Sequence, residues 1–297
     1  MVKLLKKGIL EIKNNWRKKE WYKYRLPSLI VRAIFHFLPL KNDGVFIMEE
    51  DWDNLIILDA CRYDLFLETN WIEGKLEKKI SRGSHTWMFM RENFKKVYLD
   101  TIYISANPFI WTKKDAFYKI FYVAPKEEIE KYGTVLPETV AAKAKEINKK
   151  YPHKRLIVHF DQPHYPFIGK VKIPNLPQKN YNPFYLLAEK KIEKETLWQA
   201  YKSNLERVLF VVEKLLKEFQ GKTIITSDHG ESFGDFAKPF PIRIWGHSGP
   251  RIKSLIEIPW LVIEKFPRKK IKKEERSEMT KMDEKEIRRH LKALGYF

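Results

Sequence analysis

The stretch that decides the fold is Thr223-Ile224-Ile225-Thr226-Ser227-Asp228-His229-Gly230-Glu231. Apolar and β-branched residues lead directly into an Asp-His pair, and a glycine follows. A short, continuous apolar run with such an ending is typical of a buried parallel strand. Ligands of open α/β sheets bind at the carboxyl ends of the strands. A carboxylate beside an imidazole at such an end suits a divalent metal, although a polar turn with a structural histidine fits this short motif equally well.

Two other predicted strands end in the same way. Residues 54–58 read Asn-Leu-Ile-Ile-Leu and run into Asp59. Residues 155–160 run into Asp161, and His164 follows three residues later. A strand interior that faces a core gives no reason for such residues. Polar groups able to bind a metal or an anion therefore recur just beyond three separate strands.

Helical periodicity separates these strands. In the clearest case, residues 195–220, the apolar side chains fall at steps of three and four residues, and Gly221 follows as a helix-terminating glycine. Residues 137–150 begin with a proline and continue as an Ala-, Lys- and Glu-rich helix. Strands that alternate with helices predict an α/β fold with a mainly parallel central sheet and helices on both faces.

The basic charge is concentrated at the two ends of the chain, whose 297 residues carry a formal net charge of +19. Residues 1–45 carry eleven Lys or Arg against three acids, and residues 264–297 carry twelve against seven, which leaves +6 for the 218 residues between them. This distribution argues against a basic groove through the fold, and hence against nucleic acid as the ligand. It suits an anionic membrane surface, or an ordinary solvated surface rich in Lys and Glu.

Cysteine content and hydropathy bear on the compartment. The single cysteine, Cys61, excludes an intrachain disulfide and a cysteine-based zinc cluster, which is typical of a reducing cytosol. The most apolar early run, residues 29–40, contains Arg32 and His36 and is shorter than the roughly 20 apolar residues of a spanning helix. No secretory signal is evident. We therefore expect a cytoplasmic protein, or one peripheral at the inner face of the membrane.

Four segments together resemble a known superfamily. They are Asn54-Leu-Ile-Ile-Leu-Asp59, the loop Ser84-His85-Thr86, His159-Phe-Asp-Gln-Pro-His164-Tyr-Pro166 and Thr226-Ser-Asp228-His229-Gly-Glu231. Their order resembles the alkaline phosphatase/arylsulfatase superfamily, and most of all its sulfatase-like and lipoteichoic-acid-synthase-like branches. The resemblance covers about residues 46–263 and implies an alkaline-phosphatase-like three-layer sandwich. We expect a basic helical extension over residues 1–45, a catalytic domain over 46–265 and a charged helical tail over 266–297.

The resemblance implies a metal-dependent site. It assigns Asp59, Asp228 and His229 as ligands of one divalent metal, whether Mn, Zn, Mg or Ca. In this superfamily a hydroxyl, or a modified cysteine, on the loop after the first helix is both the nucleophile and the fourth ligand. Such chemistry needs a cation, because a Thr or Ser hydroxyl is a poor nucleophile near neutral pH unless a cation stabilises its alkoxide.

The resemblance places the nucleophile on the loop before a predicted helix. Thr86 matches the position where the related transferases carry threonine, and Ser84 is the alternative nucleophile or a substrate-binding neighbour. Both hydroxyls also suit a helix N-cap. The proline and small residues that the superfamily carries next are replaced here by Trp87 and Met88.

Formylglycine chemistry is not expected in this chain. In sulfatases the modified cysteine stands in the pattern Cys-x-Pro-x-Arg, whereas Cys61 is followed by Arg62-Tyr63-Asp64 and lies only two residues after Asp59. Cys61 is therefore interpreted as a packed thiol at the start of a helix. A direct hydroxyl nucleophile favours phosphoryl over sulfuryl chemistry.

The resemblance also suggests residues on the substrate side. His164 resembles the histidine that contacts the anionic oxygens of the substrate or protonates the leaving group, and His247 resembles a second such histidine. Each also fits a hydrogen-bonded structural histidine. Asp161 together with these two histidines would make a second metal site, which the Asp-to-His spacing favours less than a single metal. Arg62 and Arg82 are candidates for binding phosphate oxygens, with ordinary salt bridging as the alternative.

The sequence thus predicts a metal-dependent phosphoric-ester hydrolase or transferase with a hydroxyl nucleophile. The basic ends suggest lipid-linked or cell-surface glycan head groups as substrates. One alternative is a sulfate-ester hydrolase without formylglycine. Another is a catalytically silent, sulfatase-like binding or scaffold protein in envelope polysaccharide assembly.

Overall fold

A seven-stranded sheet forms the centre of the protein. The structure, a computed structural model, describes residues 42–173, 182–247, 250–276 and 284–293, together with residues 12–13, 16–17 and 30. The strands of the sheet are β1 (Asn54–Asp59), β2 (Lys75–Ile80), β3 (Tyr98–Ser105), β4 (Phe117–Tyr122), β5 (Arg155–Pro163), β6 (Thr223–Ser227) and β9 (Glu257–Ile263). Their order is β2-β9-β6-β1-β5-β3-β4, and β7 (Ser232–Phe236) pairs with β8 (Arg243–Gly246) in a separate hairpin.

Helices cover both faces of the central sheet. They are α1 (Tyr63–Thr69), α2 (Thr86–Asn93), α3 (Lys126–Tyr132), α4 (Pro137–Lys150), α5 (Pro183–Ala188), α6 (Lys194–Leu216), α7 (Lys253–Ile256) and α8 (Glu284–Ala293), with a 3₁₀ helix at Pro108–Lys113. Along β1, Ile56 faces the core that contains the apolar side of α6. Its neighbour Ile57 faces a second core that contains Phe89 of α2. The expected α/β sandwich is therefore confirmed.

The register of the parallel strands brings several strand ends to one edge of the sheet. β1 pairs in parallel with both β5 and β6, so that Leu58 lies opposite Phe160 on one side and Ser227 on the other. β3 is parallel to β4 and β5, whereas β9 runs antiparallel to β2 and β6. The polar residues that follow β1, β5 and β6 consequently leave the sheet side by side.

The chain after β9 lies against this sheet before it forms α8. Residues 264–276 contain no helix, and the guanidinium of Arg268 donates to Asp51 (2.7 Å) and to Asp53. α8 then buries Ile287 and His290. Most of the helical extension expected over residues 1–45 lies outside the described residues. The division of the chain at residues 46 and 266 stays a prediction. Within the described ranges, no helix has the length and apolar character needed to cross a bilayer.

Candidate active site

Four side chains meet at the carboxyl edge of the sheet. Asp59 ends β1, Asp228 and His229 follow β6, and Thr86 begins α2. The His229 Nε2 atom lies 3.2 Å from Thr86 Oγ1, 3.3 Å from Asp228 Oδ2 and 3.5 Å from Asp59 Oδ1. All four residues are buried. The structure thus brings together the four residues that the sequence assigns to the metal site.

Each carboxylate in this group has one oxygen held by the protein and one directed at the cluster. Asp59 Oδ2 accepts a hydrogen bond from Asn107 Nδ2 (2.5 Å), and Asp228 Oδ1 accepts from the backbone N–H groups of Ala60 (3.0 Å) and His229 (2.9 Å). The other oxygens, Asp59 Oδ1 and Asp228 Oδ2, have no hydrogen-bond partner among the described residues. Buried carboxylate oxygens normally have a partner, so these two fit an ion.

The orientation of His229 also fits a metal ligand. Its Nδ1 atom lies 2.7 Å from the carbonyl oxygen of Gly230, which places the ring proton on Nδ1 and leaves the lone pair of Nε2 facing the cluster. Burial and the neighbouring His247 hold the pKa of His229 well below its usual value, so the ring is neutral. A neutral imidazole beside two carboxylate oxygens and a hydroxyl is a donor set for a divalent cation.

Without a cation the charge balance of the cluster is unfavourable. Burial raises the pKa of Asp59 well above its usual value, and the nearby carboxylates of Asp228 and Asp161 raise it further. Asp59, Asp228 and His229 offer ligand atoms that all lie within 4.8 Å of one another. A positive ion at this point would stabilise both carboxylates, so the residues present fit the metal that the sequence implies.

A second polar group adjoins the first through His229. The ring centroid of His247 lies 4.8 Å from that of His229 and 5.0 Å from that of His164. His247 Nδ1 also lies 3.1 Å from Glu231 Oε2. His164, Glu231 and His247 are close enough together to hold an ion themselves. We call this group the histidine pocket.

Asp161 does not belong to the histidine pocket. Its Oδ2 atom accepts a hydrogen bond from the Thr134 hydroxyl (3.0 Å) and lies 3.3 Å from His290 Nε2. The acidic member of the pocket is Glu231 instead. The alternative in which Asp161 joins His164 and His247 in a second metal site is therefore wrong in its choice of carboxylate.

The pKa values of the two histidines of the pocket are shifted in opposite directions. Burial and the neighbouring His247 lower the pKa of His164 to about 3, so its ring is neutral. Burial alone would also lower the pKa of His247, but the Glu231 carboxylate outweighs it and leaves this pKa raised. His247 is therefore the more basic of the two rings, and His164 is neutral.

The loop that carries Thr86 is fixed by close backbone contacts. The Ser81 hydroxyl donates to the carbonyl oxygen of Asp228 (2.5 Å), which ties the loop to the end of β6. A Cβ atom at Gly83 would stand 2.4 Å from the backbone nitrogen of Phe89, so a side chain there has no room. The N-cap of α2 is His85, which accepts from the Met88 N–H (3.3 Å). Neither Thr86 nor Ser84 has the capping role.

The remaining residues predicted from the sequence make internal contacts. The guanidinium of Arg62 donates to Asp64 (2.5 Å) and to the carbonyl oxygen of Glu231 (2.9 Å). Arg82 donates to the carbonyl oxygen of Gly44 (2.7 Å) and lies over the ring of Phe46. Arg62 thus makes the salt bridge expected as the alternative to phosphate binding, and Arg82 packs against an aromatic ring. Phosphate binding by either arginine stays a prediction.

Ser84 and Cys61 are both buried. The Ser84 hydroxyl lies 3.8 Å from the sulfur of Met88. Cys61 is a free thiol in the core, and burial raises its pKa well above the usual value. A buried protonated thiol at this position matches the interpretation of Cys61 as a packed residue and gives no support to formylglycine.

Comparison with solved structures identifies the fold. No family model and no curated protein matches the sequence. Lipooligosaccharide phosphoethanolamine transferase A from Neisseria meningitidis, an integral membrane protein, is similar with a TM-score of 0.52 and 14% identity, over 72% of this chain and 47% of that one. Over the matched part, the chain has the same fold as this transferase. It spans about half the length of that transferase.

Two further structures resemble the chain more distantly. The C-terminal periplasmic domain of EptC from Escherichia coli, in complex with zinc, matches with a TM-score of 0.48 and 14% identity over 77% of each chain. A protein in the alkaline phosphatase superfamily from Vibrio parahaemolyticus matches with a TM-score of 0.41 and 14% identity, over 76% of this chain and 62% of that one. The transferase from N. meningitidis is an integral membrane protein and gives no support to the cytoplasmic location that the single cysteine suggested.

Three residues in or near the candidate site were not predicted as site residues from the sequence. Glu231 stood within the motif after β6, and its carboxylate was a signal that the sequence offered. Asn107 follows β3 as Asp59 follows β1, so the recurrence of polar residues beyond strands also pointed to it. His290 gave no such signal, because its contact with Asp161 joins residues that are distant in the chain.

Proposed function

We propose that the protein is a metal-dependent phosphoric-ester transferase or hydrolase whose nucleophile is Thr86. The observation that carries the proposal is the convergence of the Thr86 hydroxyl, the Nε2 atom of His229 and the two unpaired carboxylate oxygens of Asp59 and Asp228. A divalent cation in this cluster would activate the hydroxyl and offset charge on a phosphoryl oxygen.

The roles of the protein residues follow from the geometry. Asp59, Asp228 and His229 would hold the cation, and Asn107 keeps the free oxygen of the Asp59 carboxylate turned toward the cluster. The Thr86 hydroxyl, whose proton would pass to water when a cation is bound, forms a bond from its oxygen to phosphorus as the bond from phosphorus to the leaving alcohol breaks. Water or an acceptor alcohol then takes the phosphoryl group from Thr86, which makes the protein a hydrolase or a transferase.

The histidine pocket suits the leaving group and the anionic oxygens. His247 has a raised pKa and adjoins His229, so it can give a proton to the leaving alcohol near neutral pH. The neutral His164 ring offers a hydrogen bond to a phosphoryl oxygen. The attacking water or acceptor alcohol returns a proton to His247 in the second step, and the Glu231 carboxylate beside Nδ1 stabilises the protonated ring.

The class of substrate is inferred from charge and fold. The neighbour from N. meningitidis is a lipooligosaccharide phosphoethanolamine transferase, which makes a phosphodiester head group on a lipid or glycolipid the first substrate class to test. The basic segments at residues 1–45 and 264–297 suit an anionic membrane surface on which such head groups lie. Phosphate is favoured over sulfate because the buried Cys61 offers no formylglycine.

The nucleophile is tested by trapping. We expect purified protein loaded with Mn²⁺ or Zn²⁺ to turn over bis(4-nitrophenyl) phosphate and, after acid quench, to carry the phosphoryl label on Thr86. Thr86→Ala is expected to lower kcat by roughly a thousandfold or more, because it removes the group that forms the covalent bond. Its Tm should fall only modestly, since one hydroxyl and one buried methyl group are lost.

Ser84→Ala is the matched control for this experiment. It removes a buried hydroxyl two residues away, which lies 3.8 Å from the Met88 sulfur. Its kcat should stay within about threefold of the wild type. A label on Ser84, or full activity of Thr86→Ala, would overturn the assignment. Metal-loaded protein without turnover of any phosphate or sulfate ester would favour the catalytically silent binding protein.

A further inference from the structure

The C-terminal helix contributes a buried histidine to the sheet edge that carries the site. α8 is charged, and Arg288 and Arg289 are exposed, whereas Ile287 and His290 face inward and are buried. A fully buried histidine on a surface helix has to be satisfied by specific polar partners. The Nδ1 atom of His290 has a hydrogen-bond partner, and its Nε2 atom lies at ion-pair distance from a carboxylate.

His290 bridges two adjacent regions of the sheet. Its Nδ1 atom lies 2.8 Å from the hydroxyl oxygen of Tyr122, the last residue of β4. Its Nε2 atom lies 3.3 Å from Oδ2 of Asp161 in β5. When Nδ1 accepts from the tyrosine hydroxyl, the ring proton lies on Nε2 and faces the Asp161 carboxylate, at ion-pair distance but without the geometry of a hydrogen bond.

Asp161 in turn is part of a buried chain of hydrogen bonds. The Thr134 hydroxyl donates to Asp161 Oδ2 (3.0 Å) and accepts from Gln162 Nε2 (3.2 Å). Gln162 Nε2 also donates to the carbonyl oxygen of Val135 (3.0 Å). His290 and Thr134 therefore hold Asp161 and Gln162 at the end of β5 from the side of the C-terminal helix.

The same strand end carries His164. The His164 backbone N–H donates to the carbonyl oxygen of Asp59 (3.1 Å), and Asn204 of α6 donates to the carbonyl oxygens of Pro163 (3.1 Å) and His164 (3.0 Å). Residues 161–164 are thus fixed from α6 on one side and from His290 on the other. Without His290, the donors left to the Asp161 carboxylate would be the Thr134 hydroxyl and the Val135 N–H. The strand end would then shift so that the carboxylate reaches water.

We propose that His290 is a positioning residue that acts through Asp161 and Gln162 to fix His164 in the histidine pocket. The proposal rests on the proposed function in one respect, since it assumes that the placement of His164 governs turnover. The C-terminal helix is then a functional part of the site.

The test compares substitutions at two positions on the same face of α8 in the full-length, metal-loaded protein. His290→Ala is expected to lower kcat for bis(4-nitrophenyl) phosphate by about tenfold or more with little change in KM, because a small displacement of a reacting group is costly. His290→Gln keeps a donor for Asp161 and should recover most of the loss. Ile287→Ala removes only an apolar contact of the helix with the domain. It should lower Tm about as much as His290→Ala does and leave kcat within about twofold of the wild type.

A second readout does not depend on turnover. In protein labelled at its eight histidines, the His164 ring resonance, assigned with His164→Asn, should move in His290→Ala and stay in place in Ile287→Ala. If His290→Ala does not fold, Tyr122→Phe should give the same changes on a smaller scale, because it removes only the hydroxyl that orients His290.

The outcomes separate the two proposals. Equal loss of kcat in His290→Ala and Ile287→Ala, or an unmoved His164 resonance in His290→Ala, would show that His290 only docks the helix. A wild-type protein without turnover, in which the His164 resonance still responds to His290, would overturn the proposed function and leave the positioning role standing.

Discussion

At the scale of single residues, Asp228 tests the metal centre with the least disturbance of the fold. In Asp228→Asn the remaining carbonyl oxygen can still accept from the N–H groups of Ala60 and His229, while the charge facing the cluster is lost. We expect Mn²⁺ or Zn²⁺ to raise Tm of the wild type, since ligand at about 100 times Kd contributes about 2.7 kcal/mol. Asp228→Asn should keep or raise the metal-free Tm and lose most of this increase.

The matched control is Asp64→Asn, which removes a largely exposed carboxylate beside Arg62. It should show the full metal-dependent increase in Tm. An increase in Asp228→Asn equal to that of the wild type would place the cation elsewhere, and metal content measured on the same samples would confirm this.

The residues proposed as metal ligands could be singled out from the sequence because each directly follows an apolar run. Asp59 after residues 54–58 and Asp228-His229 after β6 carry the signal locally, and parallel register then brings them together. The role of His247 required the resemblance, because no strand pattern leads to it. The partner of His247, Glu231, was visible in the sequence, but its distance from the histidine depends on how the β7–β8 hairpin folds back.

At the scale of elements, the interior strands of the sheet could be predicted from the sequence, whereas the two edge strands could not. β1, β5 and β6 are continuous apolar runs, whereas β2 reads Lys-Leu-Glu-Lys-Lys-Ile and is exposed or half-buried throughout. Charged residues on an edge strand protect it from pairing with other chains, and they also remove the apolar pattern that identifies a strand. β4, at the other edge, was missed as well.

The segment after β9 makes a pH-dependent contribution to stability through Lys269. Its ammonium group donates to Asn54 Oδ1 (2.7 Å) and Asn148 Oδ1 (3.0 Å), and burial lowers the pKa of Lys269 to about 8 from 10.5. Between these two values the folded protein binds fewer protons than the unfolded chain. The contribution of Lys269 to the free energy of unfolding therefore rises with pH across this window.

Lys269→Met should remove this rise, by up to about 1.4 kcal/mol per pH unit within the window. Urea unfolding of both proteins at several pH values between about 8 and 10 measures it. Lys270→Met is the control, since the neighbouring lysine is exposed and its loss should leave the slope unchanged. A slope that is the same in Lys269→Met and the wild type would contradict the buried environment of Lys269.

At the scale of the whole molecule, the C-terminal segment shows where prediction from sequence ends. Its charge pattern predicts a solvated tail, yet Arg268 reaches Asp51 and Asp53, and His290 reaches Tyr122 across 168 residues of sequence. Such contacts depend on the path of the chain around the finished domain. No local period or motif encodes that path, because a charged helix with two inward residues looks like an exposed one.

The uneven charge of the molecule predicts a location on anionic surfaces. Residues 1–45 carry a net charge of +8, and each Lys or Arg near an anionic bilayer contributes about 1 kcal/mol to binding. We expect the full-length protein to co-sediment with vesicles that contain phosphatidylglycerol, and not with purely zwitterionic vesicles. Replacing four lysines of this segment by Gln should weaken binding by at least about tenfold; the positions are Lys6, Lys7, Lys18 and Lys19.

The control carries the same loss of charge on the folded domain. It replaces four exposed lysines by Gln, namely Lys96, Lys149, Lys150 and Lys217. If the N-terminal segment directs binding, this variant keeps most of its affinity, because screening confines the attraction to charges within about a Debye length of the surface. Equal weakening in both variants would mean that net charge alone drives the association. The substrate of Thr86 would then have to be sought away from membranes.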